Sequence, residues 1–355
     1  MRRVLMTASA LAMGVGTAQA GGIERSTQSV AILFEKGRYA EFSFSAFSPD
    51  VSGTVAGGAV SSGDMALGYG NISLGYKQAL SDQLDIALIF DQPIGADLNY
   101  QAAFAPYPLA GSNASIDSNA ITALLRYKMP NNFSVIGGVR ALRTKGNVSL
   151  FNGGYTMNTS TETDFGYVLG VAWEKPEIAA RVALTYNSAI THDFDSTEMG
   201  VISTSFESEV PQSVNLEFQT GVAKDTLVFG SVRWVDWSVF DIDPPVYQAN
   251  FGSPLVDYTH DVITYNLGVG RKFTENWSGA VVLGYEKHDG TPTGNLGPTD
   301  GMKSIGLAAT YTRDNIKVTG GLRYVDIGDA VTKTINGQFS GNSGWGAGVR
   351  VGVSF

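Results

Sequence analysis

Apolar residues alternate one by one with small or polar residues along most of this chain. At its end Trp345, Ala347, Val349, Val351, Val353 and Phe355 form one series, and Gly346, Gly348, Arg350, Gly352 and Ser354 form the other. A period of two is the mark of a β-strand, whose successive side chains point to opposite faces. Fourteen such runs can be marked, at about 38–47, 70–78, 83–91, 116–127, 133–144, 163–173, 178–188, 212–222, 226–236, 261–271, 276–286, 302–311, 316–327 and 344–355. Most are near the roughly 9 to 11 residues a tilted strand needs to cross a bilayer, and longer than the usual strand of a globular domain.

The connections alternate as well. Ser81-Asp82, Pro130-Asn131-Asn132, Lys175-Pro176, Ala223-Lys224-Asp225, Thr274-Glu275-Asn276 and Arg313-Asp314-Asn315 carry turn chemistry. Between them fall long loops such as 48–69, 92–115, 189–211 and 237–260. With both termini on the short-turn side, this layout predicts an all-β fold: an antiparallel up-and-down transmembrane β-barrel of about 14 strands. Its last strand must pair with its first, because a free edge in lipid would leave backbone groups unpaired. The terminal Phe355 resembles the C-terminal signature of bacterial outer-membrane barrels, which makes the barrel assembly machinery an expected partner.

Charge placement agrees, since a charge facing lipid near the midplane costs roughly 2 to 4 kcal/mol. In 163–173 the outward series is Phe165, Tyr167, Leu169, Val171 and Trp173, which leaves Asp164 inside. The same parity turns Glu41, Asp85, Arg126, Arg140, Arg181, Glu217, Arg233, Arg323 and Arg350 inward. Outward charges such as Arg38, Arg143, Arg271 and Lys303 are expected only at strand ends. Trp277, Tyr285, Tyr311, Tyr324 and Trp345 lie toward the ends of outward series, as interfacial girdles should.

At the other end of the chain, Arg2 and Arg3 precede an apolar run and then Ala18-Gln19-Ala20, the pattern of a secretory signal peptide over 1–20. Losing those arginines takes the formal charge from −9 to −11, a balance that repels nucleic acid. There is no cysteine, so a disulfide framework and thiolate metal sites are excluded; no metal or cofactor is expected. With 43 glycines, 15 tyrosines and 18 phenylalanines, the composition is that of an ordered chain.

More specific residues occur in Pro211-Gln212-Ser213-Val214-Asn215-Leu216-Glu217-Phe218, followed by the run from Asp225 to Phe240, "DTLVFGSVRWVDWSVF". This pair resembles the FadL/TodX family of outer-membrane transporters for hydrophobic compounds, whose late strands carry a Pro-x-Ser start and a Trp-x-x-Trp-Ser run. Residues 73–100 resemble the second and third strands of the same family, so the resemblance covers most of the chain. It implies a monomeric barrel over 38–355, set among outer-membrane lipid and lipopolysaccharide, that takes up fatty acids or other hydrophobic small molecules. It also implies an N-terminal plug in the lumen and a side opening for the cargo. The corresponding segment here, 21–37, is shorter than the family's plug and lacks its Asn-Pro-Ala motif; Ile32, Leu33 and Phe34 are its apolar center.

Candidate site residues come from apolar positions where solvated loops should be polar. Phe104, Tyr107 and Leu109 in one loop, and Phe240, Tyr247 and Phe251 in another, suggest a hydrophobic landing site or a lid. Leu227 and Phe229 share lumen parity with Arg233, a partly greasy inner wall suited to an apolar substrate. Pro93 and Gly95 break the ladder after the third strand, marking either a lateral exit or an ordinary strand end. The inward arginines could hold a carboxylate head group or pair with inward acids. Two other functions fit a barrel: a general diffusion porin, and a hydrolase using His192-Asp193, His260-Asp261 or His288-Asp289. Adjacent residues on an extended chain point apart, which weighs against the hydrolase and leaves a non-enzyme.

Overall fold

The computed structural model describes residues 23–355, so the expected signal segment and the first two residues of the expected plug lie outside the described residues. Fourteen strands pair antiparallel in chain order. They are β1 Tyr39–Asp50, β2 Tyr69–Ala79, β3 Leu84–Asp91, β4 Ser112–Lys128, β5 Phe133–Leu150, β6 Glu162–Lys175, β7 Ala180–Asn187, β8 Ser213–Ala223, β9 Thr226–Val235, β10 Val262–Lys272, β11 Trp277–Glu286, β12 Met302–Arg313, β13 Ile316–Ile327 and β14 Asn342–Ser354. The barrel closes where β14 meets β1, from Tyr39 opposite Ser354 to Asp50 opposite Ser343.

The alternation in the sequence becomes the two faces of this wall. On β6, Phe165, Tyr167, Leu169 and Val171 are exposed on the outside, while Val168 and Ala172 are buried inside. Asp85, Arg126, Arg140, Arg181, Glu217 and Arg233 are all buried, on the inner face. Two aromatic belts rim the outer face. Trp277 pairs across the ladder with Tyr311, rings 5.0 Å apart, near the short turns. Tyr265 with Tyr285 and Tyr324 with Trp345 form the opposite belt. The rise along β11 from Trp277 to Tyr285 gives roughly 21 Å of height at a tilt of about 40°, close to the roughly 25 Å apolar band of such barrels. The tight turns use left-handed residues at Asn132, Ala179, Asp225 and Asp314.

Beyond the belts the wall continues, which the sequence pattern did not convey. Residues 189–211, expected as a loop, are a β-hairpin of Ile190–Glu198 and Ile202–Val210. Its inward series includes Ile190, Phe194, Phe206 and Val210, while its outward series is only Ser, Thr, Asp and Glu, so it lacks the greasy outward series of the lipid-facing strands. For the same reason β5 runs on to Leu150, and Arg143 lies within that strand rather than at its end. Residues 237–260 include the short helix α1, Pro245–Phe251. Glu198 at the hairpin tip accepts from the Val246 and Tyr247 amides and from the Tyr155 hydroxyl. Burial pushes its carboxyl up, but these bonds and one from Thr204 outweigh burial and hold it below the usual range. The hairpin, the helix and Tyr155 are thereby fastened into one cap over the barrel mouth.

Candidate functional site

The wall has a local failure of pairing between β2 and β3, and Pro93 sits in it. β3 follows β2 from Ala79 opposite Asp85 up to Leu74 opposite Phe90, and then leaves it. Its continuation, Gly95–Tyr100, stays on β4 with one extra residue between Asp91, opposite Ala120, and Gly95, opposite Asp117. That is a bulge, which a proline without an N–H and a small glycine accommodate. The upper part of β2 is therefore left without a ladder on this side until the Leu67 amide meets the Asp97 carbonyl at 3.1 Å. Between these points the Gln92 side chain, accepting from the Ile72 amide at 2.9 Å, reaches across.

The N-terminal segment backs this gap from inside. Glu24 bridges antiparallel to Ile94; the Gly95 amide donates to the Ile23 carbonyl and the Arg25 amide to the Pro93 carbonyl, each at 2.8 Å. The Arg25 guanidinium reaches Asp97 at 2.8 Å and lies over the Tyr69 ring. A Cβ on Gly95 would come within 2.6 Å of that guanidinium, so the position of Arg25 over this backbone depends on glycine here.

From there the segment runs along the inward side chains. Ser26 donates to Asp91, Arg140 to Gln28, Asn215 to the Thr27 carbonyl and Ser29 to Glu217. The predicted Ile32, Leu33 and Phe34 lie in a buried 3-10 turn, and Phe34 has the Arg126 and Arg181 guanidiniums over its ring at 4.3 and 4.4 Å. The predicted ligand Arg233 is buried against Glu24 and Asn215. Several other inward charges pair with one another: Lys77 and Lys128 with Asp85, Arg126 with Glu174, and Lys317 with Glu35.

Above the segment three spaces meet at Tyr258. The first, ≈ 70 Å³, is apolar, lined by Ile94, Leu98, Phe194, Phe206, Phe240 and Ile242 among others. The second, ≈ 150 Å³, lies against the gap, with Arg25, Leu67, Tyr69, Gly95 and Asp97 in its lining. These two share Ile23, Ala96, Leu98, Tyr258 and Leu296 as a common partition. The third, ≈ 450 Å³, is polar and acidic, with Asp257, Asp261, Asp289 and Asp300 around Trp237 and Tyr258. Close to this partition, burial and then the Asp243 and Asp257 charges raise the Asp241 carboxyl above its ordinary range, and burial raises that of Asp243.

The structure brings only part of the predicted set together. Phe240 lines the apolar cavity, with its ring 5.5 Å from Trp237 and 5.4 Å from Tyr258. Tyr107 and Leu109 are buried in a separate cluster with Tyr100 and Phe339, where burial pushes the Tyr107 phenol up to about 12. Tyr247 packs on Tyr155 and Phe251, the latter half exposed, within the cap. Phe104 is partly exposed in a turn beside Gly63. Leu227 and Phe229 are buried with Ala280, lower on the inner wall. Sequence reasoning missed Phe194 and Phe206, whose signal was the strict alternation of 190–198 and 202–210; for Ile23 and Leu296 no local signal existed.

The histidines do not use their neighboring aspartates. His192 bonds Asp164 at 2.7 Å, His260 approaches Asp289 at 3.4 Å and His288 approaches Asp300 at 3.1 Å.

No family model matches this sequence, and no curated protein matches it. Solved structures do. A Pseudomonas aeruginosa FadL homologue superposes over 92% of both chains with TM-score 0.74 and 15% identity. The Pseudomonas putida toluene transporter TodX covers 98% of this chain and 97% of its own with TM-score 0.64 and 10% identity. The Ralstonia pickettii toluene transporter TbuX covers 97% of both with TM-score 0.62 and 14% identity. This is the FadL/TodX barrel fold. In this chain, segment 23–36 reaches from the gap at Pro93 to the Arg126–Phe34–Arg181 stack near the short turns.

Proposed function

We propose that this chain carries small hydrophobic molecules across a bacterial outer membrane. In this reading cargo enters the apolar cavity beneath the cap and leaves through the gap beside Pro93 and Gly95. The observation that supports it most is the shared lining: Ile23, Ala96, Leu98, Tyr258 and Leu296 border both the apolar cavity and the space at the gap. Segment 23–36 is the plug, held by its bonds to the inward acids and arginines. A transport barrel with this much of its lumen filled suits an apolar solute better than ions and sugars, which sets this reading ahead of a general porin. In this reading the protein works as a monomer, the state the family resemblance implies, with lipid and lipopolysaccharide as its surroundings and the assembly machinery as its insertase.

An enzymatic role is not part of this reading. Thr144, His192 and Asp164 form a hydroxyl–imidazole–carboxylate row, but Thr144 lies within a strand paired on both sides. Its backbone amide is thus unsuited to an oxyanion hole, and hydrolysis needs such donors.

Uptake of a labelled monoaromatic hydrocarbon and of a labelled long-chain fatty acid by cells with and without the protein tests the proposal, with proteoliposome swelling in sugars as the counter-measurement. Faster uptake of at least one hydrophobic solute with little swelling is expected. Swelling at porin rates, with no gain in hydrophobic uptake, would overturn it.

A further inference from the structure

The apolar cavity has a polar corner that neither the plug nor the exit uses. Thr144 of β5 and His192 of the hairpin both line it, buried to 5% and 1% exposure. His192 Nδ1 lies 2.7 Å from Asp164 Oδ2, and Nε2 lies 3.1 Å from Thr144 Oγ1. An ionised carboxylate can only accept, so Nδ1 carries the proton and, in the neutral ring, Nε2 is the acceptor. The Thr144 hydroxyl must then donate its single hydrogen to Nε2. What remains to Thr144 Oγ1 is accepting capacity, in a cavity otherwise walled mainly by hydrocarbon.

Several other polar groups of the lining are engaged elsewhere. Ser208 donates to the Asp241 carbonyl and Thr159 to the Ser160 carbonyl, while Lys145 lies 3.5 Å from Asp117. A carboxylate would find Lys145, the cation among the described lining residues, already beside Asp117 and would face an acceptor at Thr144.

We propose that the cavity selects molecules with an apolar body and one hydroxyl donor, an alcohol or a phenol, over a hydrocarbon, ether or carboxylate of similar shape. This rests on the reading of the cavity as the cargo site and specifies its chemistry. Asp164 and His192 act as positioning residues: they fix the direction of the Thr144 hydrogen, and Thr144 Oγ1 is the atom that meets the ligand.

Isothermal titration of the full detergent-extracted protein at pH 8 with p-cresol, p-xylene and 4-methylanisole tests this. p-Cresol and p-xylene differ only by a hydroxyl in place of a methyl, and the anisole keeps the oxygen without the donor. In the unaltered protein p-cresol is expected to bind more tightly than either of the others, although it is the least apolar. Thr144→Val, which keeps the shape and removes the acceptor, is expected to lower the p-cresol to p-xylene affinity ratio about tenfold, and Thr144→Ser to retain it. Binding of 4-methylanisole equal to or tighter than that of p-cresol in the unaltered protein overturns the inference without any variant. An unchanged ratio in Thr144→Val, with both ligands still bound, overturns it while leaving the cavity as cargo site. Failure of all three ligands to bind the unaltered protein overturns both readings.

Discussion

The Arg25 guanidinium crosses the backbone of Gly95 so closely that a Cβ at that glycine would lie 2.6 Å from it. The gap in the wall and the clasp on the N-terminal segment therefore depend on the same residue. Gly95→Ala should push Arg25 off Asp97 and loosen segment 23–26, while the fourteen strands, whose ladders lie elsewhere, stay paired. The expected result is a higher single-channel conductance from a barrel that keeps its heat-modifiable mobility on gels. Conductance equal to that of the unaltered protein would mean that the Arg25 contact does not hold the segment in place.

The two faces of the wall make opposite demands on charge. Leu169 is about half exposed on the outer face of β6, whereas Ser231 of β9 faces inward and accepts from Asn266. Leu169→Arg should cost roughly 2 to 4 kcal/mol near the bilayer midplane, a large share of a marginal stability. Ser231→Arg adds its charge to a lumen already containing Arg233 and Glu217. Assembly yield in lipid vesicles should fall sharply for the first and little for the second; equal yields would refute the assigned faces.

How much of this was readable in the sequence follows from where lipid stops acting. Between the aromatic belts every second residue must be apolar, so β1 to β14 and their short turns stood out within a few residues. Outside the belts the outer face meets water instead of lipid, and the 190–210 hairpin, with only Thr, Ser, Asp and Glu in its outward series, read as loop. The cavity was harder still. Phe240 was visible as a misplaced apolar residue, but its partners Ile23 and Leu296 come from opposite ends of the chain. Glu24 meets Arg233 across 209 residues of sequence, a pairing that no local pattern encodes.

Asp241 makes the cap sensitive to pH. Burial first, and then the charges of Asp243 and Asp257, raise its carboxyl above the ordinary value, and Asp257 stands opposite it across a two-residue ribbon. Because the folded value exceeds the unfolded one, folding favors the protonated form. The cost of the ionised carboxylate is absent below the ordinary value of 3.8. It grows as pH rises toward the folded value and is fully present above it. The cap over 237–258 should therefore open more readily at neutral pH, and Asp241→Asn should remove the effect. Hydrogen exchange of these amides should be slower in the variant at pH 7, while near pH 3 the two proteins should agree once intrinsic exchange rates are corrected. A variant that exchanges as fast as the unaltered protein at pH 7 would show that Asp241 does not control the cap.

Three loop phenylalanines that look alike in the sequence should differ in their effect on cargo binding. Phe240 is 4% exposed, lines the apolar cavity and touches Tyr258, the residue where all three spaces meet. Phe251 is 48% exposed on α1, against Phe151 and Tyr247, and Phe104 is 37% exposed in a turn; neither lines the cavity. Burying an aromatic side chain contributes roughly 1.5 to 3 kcal/mol, and truncating one in the cavity wall should cost a comparable share of ligand affinity. Phe240→Ala should therefore weaken binding of a hydrophobic ligand roughly 10- to 150-fold. Phe251→Ala and Phe104→Ala should change it by less than about threefold, because neither lines the cavity and filling it removes none of their apolar surface from water. Titration of the three purified variants with one ligand checks the ranking. If Phe104→Ala or Phe251→Ala proves the more damaging change, cargo is held on the outer surface of the loops, and the cavity beneath the cap is a packing defect.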